Sequence, residues 1–342
     1  MFRPTPAQAI HQPLLLSTAL AVLFAAAPSP GTAAAVLKMH HDLPDSSAQH
    51  LGALRFEELV ESRTEGAIDV EIYPNNALGD DVEAAQQMQF GAIHAAPIPT
   101  AKLSNFNPSL QLIDLPFLFP SPEITHAFLD GPVGEELLAA VEPAGFVGAA
   151  FWESGFKQFT CNHQVEAPGD FDGHKVRVME SPLLIAQFEA MGATAIPIAF
   201  TEVYTALQQG VVECQENPIV SINKMKFYEV QDYMMLSNHG YLGTAFIFSK
   251  VWFDGLDSAT QQILLQAARE AGQYQRQKSA ELQGGYLDEI RRAGTTEIVE
   301  FTPQQQALFA EVMKPVHAQF KDKIGAELLD KSYRAIEALQ GQ

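Results

Sequence analysis

Arg177 is the side chain in this sequence best matched to a definite chemical task. It stands in Lys175-Val176-Arg177-Val178, a stretch of period two. On a strand, Val176 and Val178 share one face and enter the core, while Lys175 and Arg177 share the other. Met179-Glu180-Ser181-Pro182 follows and leads into a helix, which sets Arg177 near the carboxyl end of its strand, where α/β folds bind ligands. Further on, Gln215-Glu216-Asn217-Pro218 places three amide or carboxylate side chains before a proline-fixed turn. A guanidinium pairs with a carboxylate through two parallel charge-assisted bonds. Each is worth about 1.5–3 kcal/mol. Micromolar affinity needs about 8 kcal/mol, so one such fork and a few neutral bonds suffice to hold a small acid.

Catalytic alternatives find little support. H-E-x-x-H, G-x-S-x-G, G-x-x-x-x-G-K-[ST] and G-x-G-x-x-G are all missing. His40 and His41 are neighbours, so on a strand they face opposite sides and chelate poorly together. Asp170-Phe171-Asp172-Gly173 lacks the later ligands of a calcium loop. Cys161 lies near His163, but nothing marks the two as a nucleophile and its base. Cys161 and Cys214 could pair in an oxidising compartment, yet two cysteines establish no framework. The expectation is a protein that is not an enzyme, with no cofactor and no metal.

The elements that must position Arg177 alternate between strand and helix. Val36–His40 is a short strand, and Ser46 or Ser47 caps a helix with apolar residues Leu51, Leu54, Leu59 and Val60 that ends near Gly66. Ile68–Ile72 alternates as a half-buried strand, and Asp80 and Asp81 open a helix closed by Gly91. Extended apolar runs are expected at 93–98 and 110–118, helices at 122–129 and 133–141, and a buried parallel-type strand at 145–151. In the second half, strands are expected at 175–178 and 196–200. Helices are expected at 183–191, from a Thr201 cap to Gly210, and over 257–293 with a break at Gly284-Gly285. Two more fill 303–320 and 324–339. Alternation of this kind gives an α/β fold with parallel or mixed sheets wrapped by helices.

Composition bounds the partners. Arg3, an uncharged apolar run from Leu14 to Ala27, the breakers Pro28, Pro30 and Gly31, and Ala33-Ala34-Ala35 make residues 1–35 a secretory leader, and the mature chain is expected in the periplasm. No Cys follows the run to carry a lipid. Roughly 300 residues then remain, enough for two lobes. The balance of 21 basic to 41 acidic residues, a net charge of −20, argues against nucleic acid, whose phosphates need surplus Lys and Arg. An anionic ligand must therefore be drawn in by a local basic site.

Several stretches carry a family resemblance: YPNNALGDD (Tyr73 to Asp81), LPFLF (Leu115 to Phe119), GHKVRVMESP (Gly173 to Pro182), FTEVYTALQQGVVECQENP (Phe200 to Pro218), KFYEVQDY (Lys226 to Tyr233) and NHGYLG (Asn238 to Gly243). In order and spacing, residues 36 to about 335 resemble the DctP-type extracytoplasmic solute receptors of tripartite ATP-independent periplasmic (TRAP) transporters. The resemblance implies a two-lobed periplasmic binding protein fold, type II-like, with mixed sheets, a hinge and a long bridging helix. It implies lobe I from residues 36–154 plus 243–282 and lobe II from 155–242 plus 283–342, closing on one ligand. It makes Arg177 the carboxylate-binding arginine, with Asn217 bonding the same group and Phe200 as an apolar wall. Lys157, in Gly155-Phe156-Lys157-Gln158, stands where relatives often carry a second arginine. It keeps the charge without the planar fork. His41, His94 and Trp152 fall where relatives line the pocket, and Glu216 is expected to brace Arg177 or a backbone amide. Cys214 replaces the usual glycine and is expected only to fill space. GFKQ with NHGYLG leans toward C4-dicarboxylates, with sugar acids sharing the framework. The implied partners are a small carboxylate and the TRAP permease membrane subunits, with the receptor itself a monomer. A sensor feeding a histidine kinase would present the same cleft.

Overall fold

A computed structural model describes residues 1–4 and 34–341. The leader expected at 1–35 lies almost wholly outside the described residues. The unit Ala34–Gln342 holds every strand and helix found among the described residues. No helix among the described residues is long and apolar enough to cross a membrane.

Among the described residues ten strands join in one hydrogen-bonded sheet: β1 (Ala35–His40), β2 (Ile68–Tyr73), β3 (Ala95–Pro99), β4 (Phe146–Cys161), β5 (Lys175–Val178), β6 (Thr194–Pro197), β7 (Cys214–Pro218), β8 (Tyr233–Leu236), β9 (Tyr241–Ser249) and β10 (Glu297–Glu300). The order is β2-β1-β3-β9-β4-β7-β5-β6, with β8 on β4 and β10 on β8. Strands β1–β3 run parallel, as do β5–β7, while β9 is antiparallel to both β3 and β4. The mixed α/β architecture expected from the alternation is present.

β4 ties the halves together. Phe146 to Phe156 pairs with β9, and Lys157 to Cys161 pairs with β7 and β8. The change of partner follows a register shift between Glu153 and Gly155, where Gly155 adopts φ +107°. Only glycine takes that backbone angle at no steric cost, so the strand can bend there. The parallel environment expected for 145–151 is corrected. The strand is longer and antiparallel to β9, and its apolar run is buried by that neighbour and by the helices packed on it.

The helix Ser258–Ala293 runs 36 residues and starts at Asp257, whose side chain accepts from the Ala259 and Thr260 amides. Its first half packs Leu264, Ala267, Ala268 and Ala271 against Phe56, Trp152 and Phe246. Its second half places Tyr286 and Ile290 among Phe200, Val203 and Phe227. It therefore bridges two apolar clusters. The break expected at Gly284-Gly285 does not occur: a side chain at either glycine would meet nothing within 4 Å, so both sit on an open face and cost only helix propensity.

Three further expectations are corrected. Residues 110–118 are not extended: Asn107 caps a 3-10 turn over Pro108–Leu112, and Leu110, Leu112, Ile113 and Leu115 are buried as turns. Thr201 caps nothing; it lies within a 3-10 turn, Phe200–Glu202, before the helix Val203–Gln208. Leu54 is exposed, because Ala48–Arg63 turns Gly52, Ala53 and Phe56 inward instead.

Candidate functional site

β5 delivers Arg177 as its alternation requires. Lys175 is exposed and Val176 and Val178 are buried in the core. Arg177 is itself only 1% exposed. Its Nε and Nη2 both donate to the carbonyl oxygen of Ile198, at 2.9 and 2.7 Å, and its guanidinium carbon lies 6.0 Å from the Phe200 ring centre. Nη1 makes no hydrogen bond among the described residues. Burial lowers the Arg177 pKa to about 10, opposed by Glu180, Glu216 and Asp81, so the group stays charged at neutral pH.

Arg177 pairs in register with Gln215 on β7. Alternation along β7 then puts Gln215 and Asn217 on the Arg177 face and Glu216 on the opposite one. Asn217, 2% exposed, donates to the Gln215 amide oxygen at 2.5 Å, and Gln215 donates to Thr160. Asn217 is thereby held by its strand neighbours.

Lys157 lies on the other face, opposite Pro218 in the β4–β7 ladder. Its Nζ meets Glu216 Oε1 at 2.8 Å and Asp114 Oδ1 at 3.9 Å, all three residues being buried. Glu216 also takes His239 Nε2 at 2.6 Å and Gln187 Nε2 at 3.3 Å. Burial alone would raise the Glu216 pKa, but Lys157 and His239 outweigh it and bring the carboxyl down to about 2. Glu216 thus braces Lys157 and His239 rather than Arg177 or a backbone amide. Burial also holds the His239 pKa below its usual value despite Glu216, and its ring stacks on Phe159 at 3.7 Å. Asp114 has the opposite environment: burial pushes its pKa up to about 7 against Lys157, and its Oδ2 accepts from the Thr100 hydroxyl at 2.8 Å.

A third group comes from the end of β1 and from the helices Asp81–Gln89 and Thr100–Leu103. Lys102 Nζ meets Asp81 Oδ2 at 2.8 Å, and His40 Nε2 meets Asp81 Oδ1 at 3.3 Å, all buried. Asp81 adds to Glu180 and Glu216 in favouring the charged form of Arg177. His41 lies just past the end of β1 and shares a hydrogen bond with His50 at 3.0 Å. Burial first, then His50 and His40, lower the His41 pKa to about 3, so it is a neutral ring. Gln49, Asp42 and His41 each keep a buried polar atom with no hydrogen-bond partner among the described residues.

Arg177, Asn217 and Phe200 therefore lie about the ends of β5 and β7, while Lys157 sits on the opposite face of the same ladder. The structure does not bring Trp152 there. That indole is fully buried between helices, donates to the Ala268 carbonyl at 3.1 Å, and leaves no room for a Cβ at Gly52 or Gly272. Trp152 is a core residue, and the pocket role expected for it is corrected. His94 is likewise drawn off: its Nδ1 accepts from the Lys38 amide and its ring stacks on Trp252. Sequence reasoning missed Lys102, Asp81, Asp114 and His239 as members of the buried network. Cys161 and Cys214 are disulfide-bonded across the β4–β7 ladder, so Cys214 does more than fill space. Two cavities, of about 670 and 500 Å³, are not lined by Arg177; the first lies beside His317 and Tyr333 and the second beside His126 and Glu153.

A buried guanidinium with a spare edge, amides beside it and a compensated lysine opposite define a solute-binding protein. Known proteins agree. Residues 39–323 match the family model for the bacterial extracellular solute-binding proteins, family 7 (DctP), and the chain belongs to that family, the receptors of TRAP transporters. It is 39% identical over 299 residues to the C4-dicarboxylate-binding periplasmic protein DctP of Rhodobacter capsulatus, covering 86% of this chain and 89% of the relative. It is 35% identical over 269 residues to the 2,3-diketo-L-gulonate-binding periplasmic protein YiaO of Escherichia coli, covering 78% and 82%. A TRAP periplasmic solute-binding protein from Shewanella oneidensis with bound succinate superposes with a TM-score of 0.86 at 30% identity, over 89% of this chain and all of that one. The sugar acid binding protein DctPAm of Advenella mimigardefordensis in complex with galactonate also gives 0.86, at 32% identity, over 89% and 98%.

Proposed function

We propose that the protein captures a small organic acid in the periplasm through Arg177 and delivers it to the membrane subunits of a TRAP permease. The single observation that carries this is the Arg177 guanidinium, buried and charged, with Nη1 unpartnered among the described residues and Asn217 and Phe200 beside it. The ligand carboxylate takes the free edge of Arg177, and the Asn217 amide adds a neutral bond. His41 and the unpartnered Gln49 and Asp42 face the remainder of the ligand from the opposite side.

The lobes in this reading are 36–154 plus 243–282 and 155–242 plus 283–342, hinged where β4 changes partners at Gly155. Closure removes water from the Arg177–carboxylate pair and strengthens it. The ligand favours the closed state because only that state offers it both sets of contacts. Residues 1–35 direct export, and the receptor works as a monomer.

A C4-dicarboxylate is the first choice of ligand, on the likeness to the Rhodobacter capsulatus protein and to the succinate-bound structure. One observation favours a sugar acid instead. Lys157 is already neutralised by Glu216, so only Arg177 remains to answer a carboxylate, which suits a hydroxylated monoacid. Titration calorimetry with succinate, malate and galactonate tests both readings. Micromolar heat with at least one acid is expected; silence from all small carboxylates would end the proposal.

A further inference from the structure

The Cys161–Cys214 pair lies outside the carboxylate site and has a histidine beside it. Cys161 is the last residue of β4 and Cys214 the first of β7, directly opposite each other with their Cα atoms 4.1 Å apart. The ladder ends there, flanked by the exposed Asn162 and the half-buried Glu213. One ligand atom each from Cys161, Cys214 and the half-buried His163 lie within 4.8 Å of one another. His163 Nε2 lies 3.1 Å from the Asp170 carbonyl oxygen. A carbonyl only accepts, so Nε2 carries the proton and Nδ1 keeps its lone pair free. A carbonyl behind the ring, fixing its tautomer and orienting it, is the usual setting of a metal-ligating histidine.

We propose that reduction of the Cys161–Cys214 disulfide exposes a zinc site made of both cysteine sulfurs and His163. The chemistry balances with a dithiol as reductant. The dithiol gives two electrons and two protons to the disulfide and is itself oxidised to a disulfide, leaving two thiols on the protein. Zn²⁺ then displaces the two thiol protons and forms two Zn–S bonds and one bond to imidazole. Two thiolates and an imidazole are a soft donor set that favours zinc over the hard cations Mg²⁺ and Ca²⁺. The Zn–S distance of about 2.3 Å lets the sulfurs separate within the same ladder without moving either strand end far. Water fills the fourth position. The same two strands carry Lys157, Glu216 and Asn217, so the binding ladder would be clasped in both redox states, by sulfur in one and by zinc in the other. The inference stands on this cluster alone and does not depend on the ligand proposal.

Co²⁺, a spectroscopic stand-in for Zn²⁺, tests it. The full mature chain is treated with dithiothreitol, desalted under argon, checked for native circular dichroism and two free thiols, and titrated with Co²⁺. Reduced protein is expected to bind one equivalent with thiolate-to-cobalt charge-transfer absorption that Zn²⁺ abolishes, and oxidised protein to show none. His163→Ala should weaken binding by about tenfold or more, since even an outer partner of a ligand is worth that much. Cys161→Ser with Cys214→Ser should abolish the band. The proposal is overturned by reduced, folded protein without the band, by His163→Ala binding as tightly as wild type, or by a disulfide that opens only on unfolding.

Discussion

Lys157 and Glu216 form a buried ion pair 2.8 Å long, on the opposite face of β7 from the residues that flank Arg177. Two cations that the sequence places in one site are therefore in different electrostatic conditions. Lys157 has its counter-ion, and Arg177 has only a carbonyl oxygen and the more distant fields of Glu180, Glu216 and Asp81. In the proposed function, the free cation is the one that meets the ligand carboxylate. The compensated one stabilises the ladder that holds it.

Arg177→Ala should weaken carboxylate binding by about tenfold to a hundredfold or more, given about 1.5–3 kcal/mol for each hydrogen bond to a charged group. Arg177→Lys should recover little, because a lysine cannot hold the Ile198 carbonyl and a ligand oxygen in one plane. Calorimetry on folded variants reads both. An alanine variant with wild-type affinity would move the site away from this residue.

Glu216→Gln should cost about 3–5 kcal/mol near neutral pH, because it leaves Lys157 buried without its counter-ion. Removing both charges, as in Lys157→Met with Glu216→Leu, should cost far less than either single change. The pH dependence has a definite sign. Glu216 falls from 4.5 to about 2 on folding, so its stabilisation is present above about 4.5 and is lost as pH drops toward 2. The gap between wild type and Glu216→Gln should close over that window in urea titrations.

Asp114 should behave in the opposite sense. Its carboxyl rises from 3.8 to about 7 on folding, so the native state binds the extra proton between those values and stability falls as pH rises through them. Asp114→Asn keeps an acceptor for the Thr100 hydroxyl and removes the charge. It should match wild type near pH 4 and exceed it by about 2–4 kcal/mol at pH 8, from the worth of a pKa unit. Equal stabilities at both pH values would mean that Asp114 ionises freely.

What is legible in the sequence follows from the range of the signal. The faces around Arg177 are readable because a period-two strand declares them, and the cap at Ser46 or Ser47, which falls on Ser47, because a cap acts within three residues. The Lys102–Asp81 pair is not, since Asp81 reads as a helix-starting acid beside Asp80 and its partner comes from another element. His239 lies within the family-like stretch Asn238 to Gly243, yet its role depends on Glu216, 23 residues away. The run at 110–118 misleads because burial on all sides looks the same in a strand and in packed turns. Trp152 misleads for a related reason: its place near the binding strands says nothing about which side its ring takes.

Trp152 offers the sharpest separation of core from site. Its ring packs on Phe246 at 4.9 Å, and a Cβ at Gly272 would fall 2.7 Å from Trp152 Cδ1. Gly272→Ala should therefore cost about 1–3 kcal/mol through overpacking. Trp152→Ala should cost about 3–5 kcal/mol by opening a cavity between the helices Ala48–Arg63 and Ser258–Ala293. Below the melting transition, both variants should keep the wild-type dissociation constant for the acid, because neither change touches Arg177 or Asn217. A Trp152→Ala protein that remains folded but binds the acid tenfold more weakly would return the indole to the pocket.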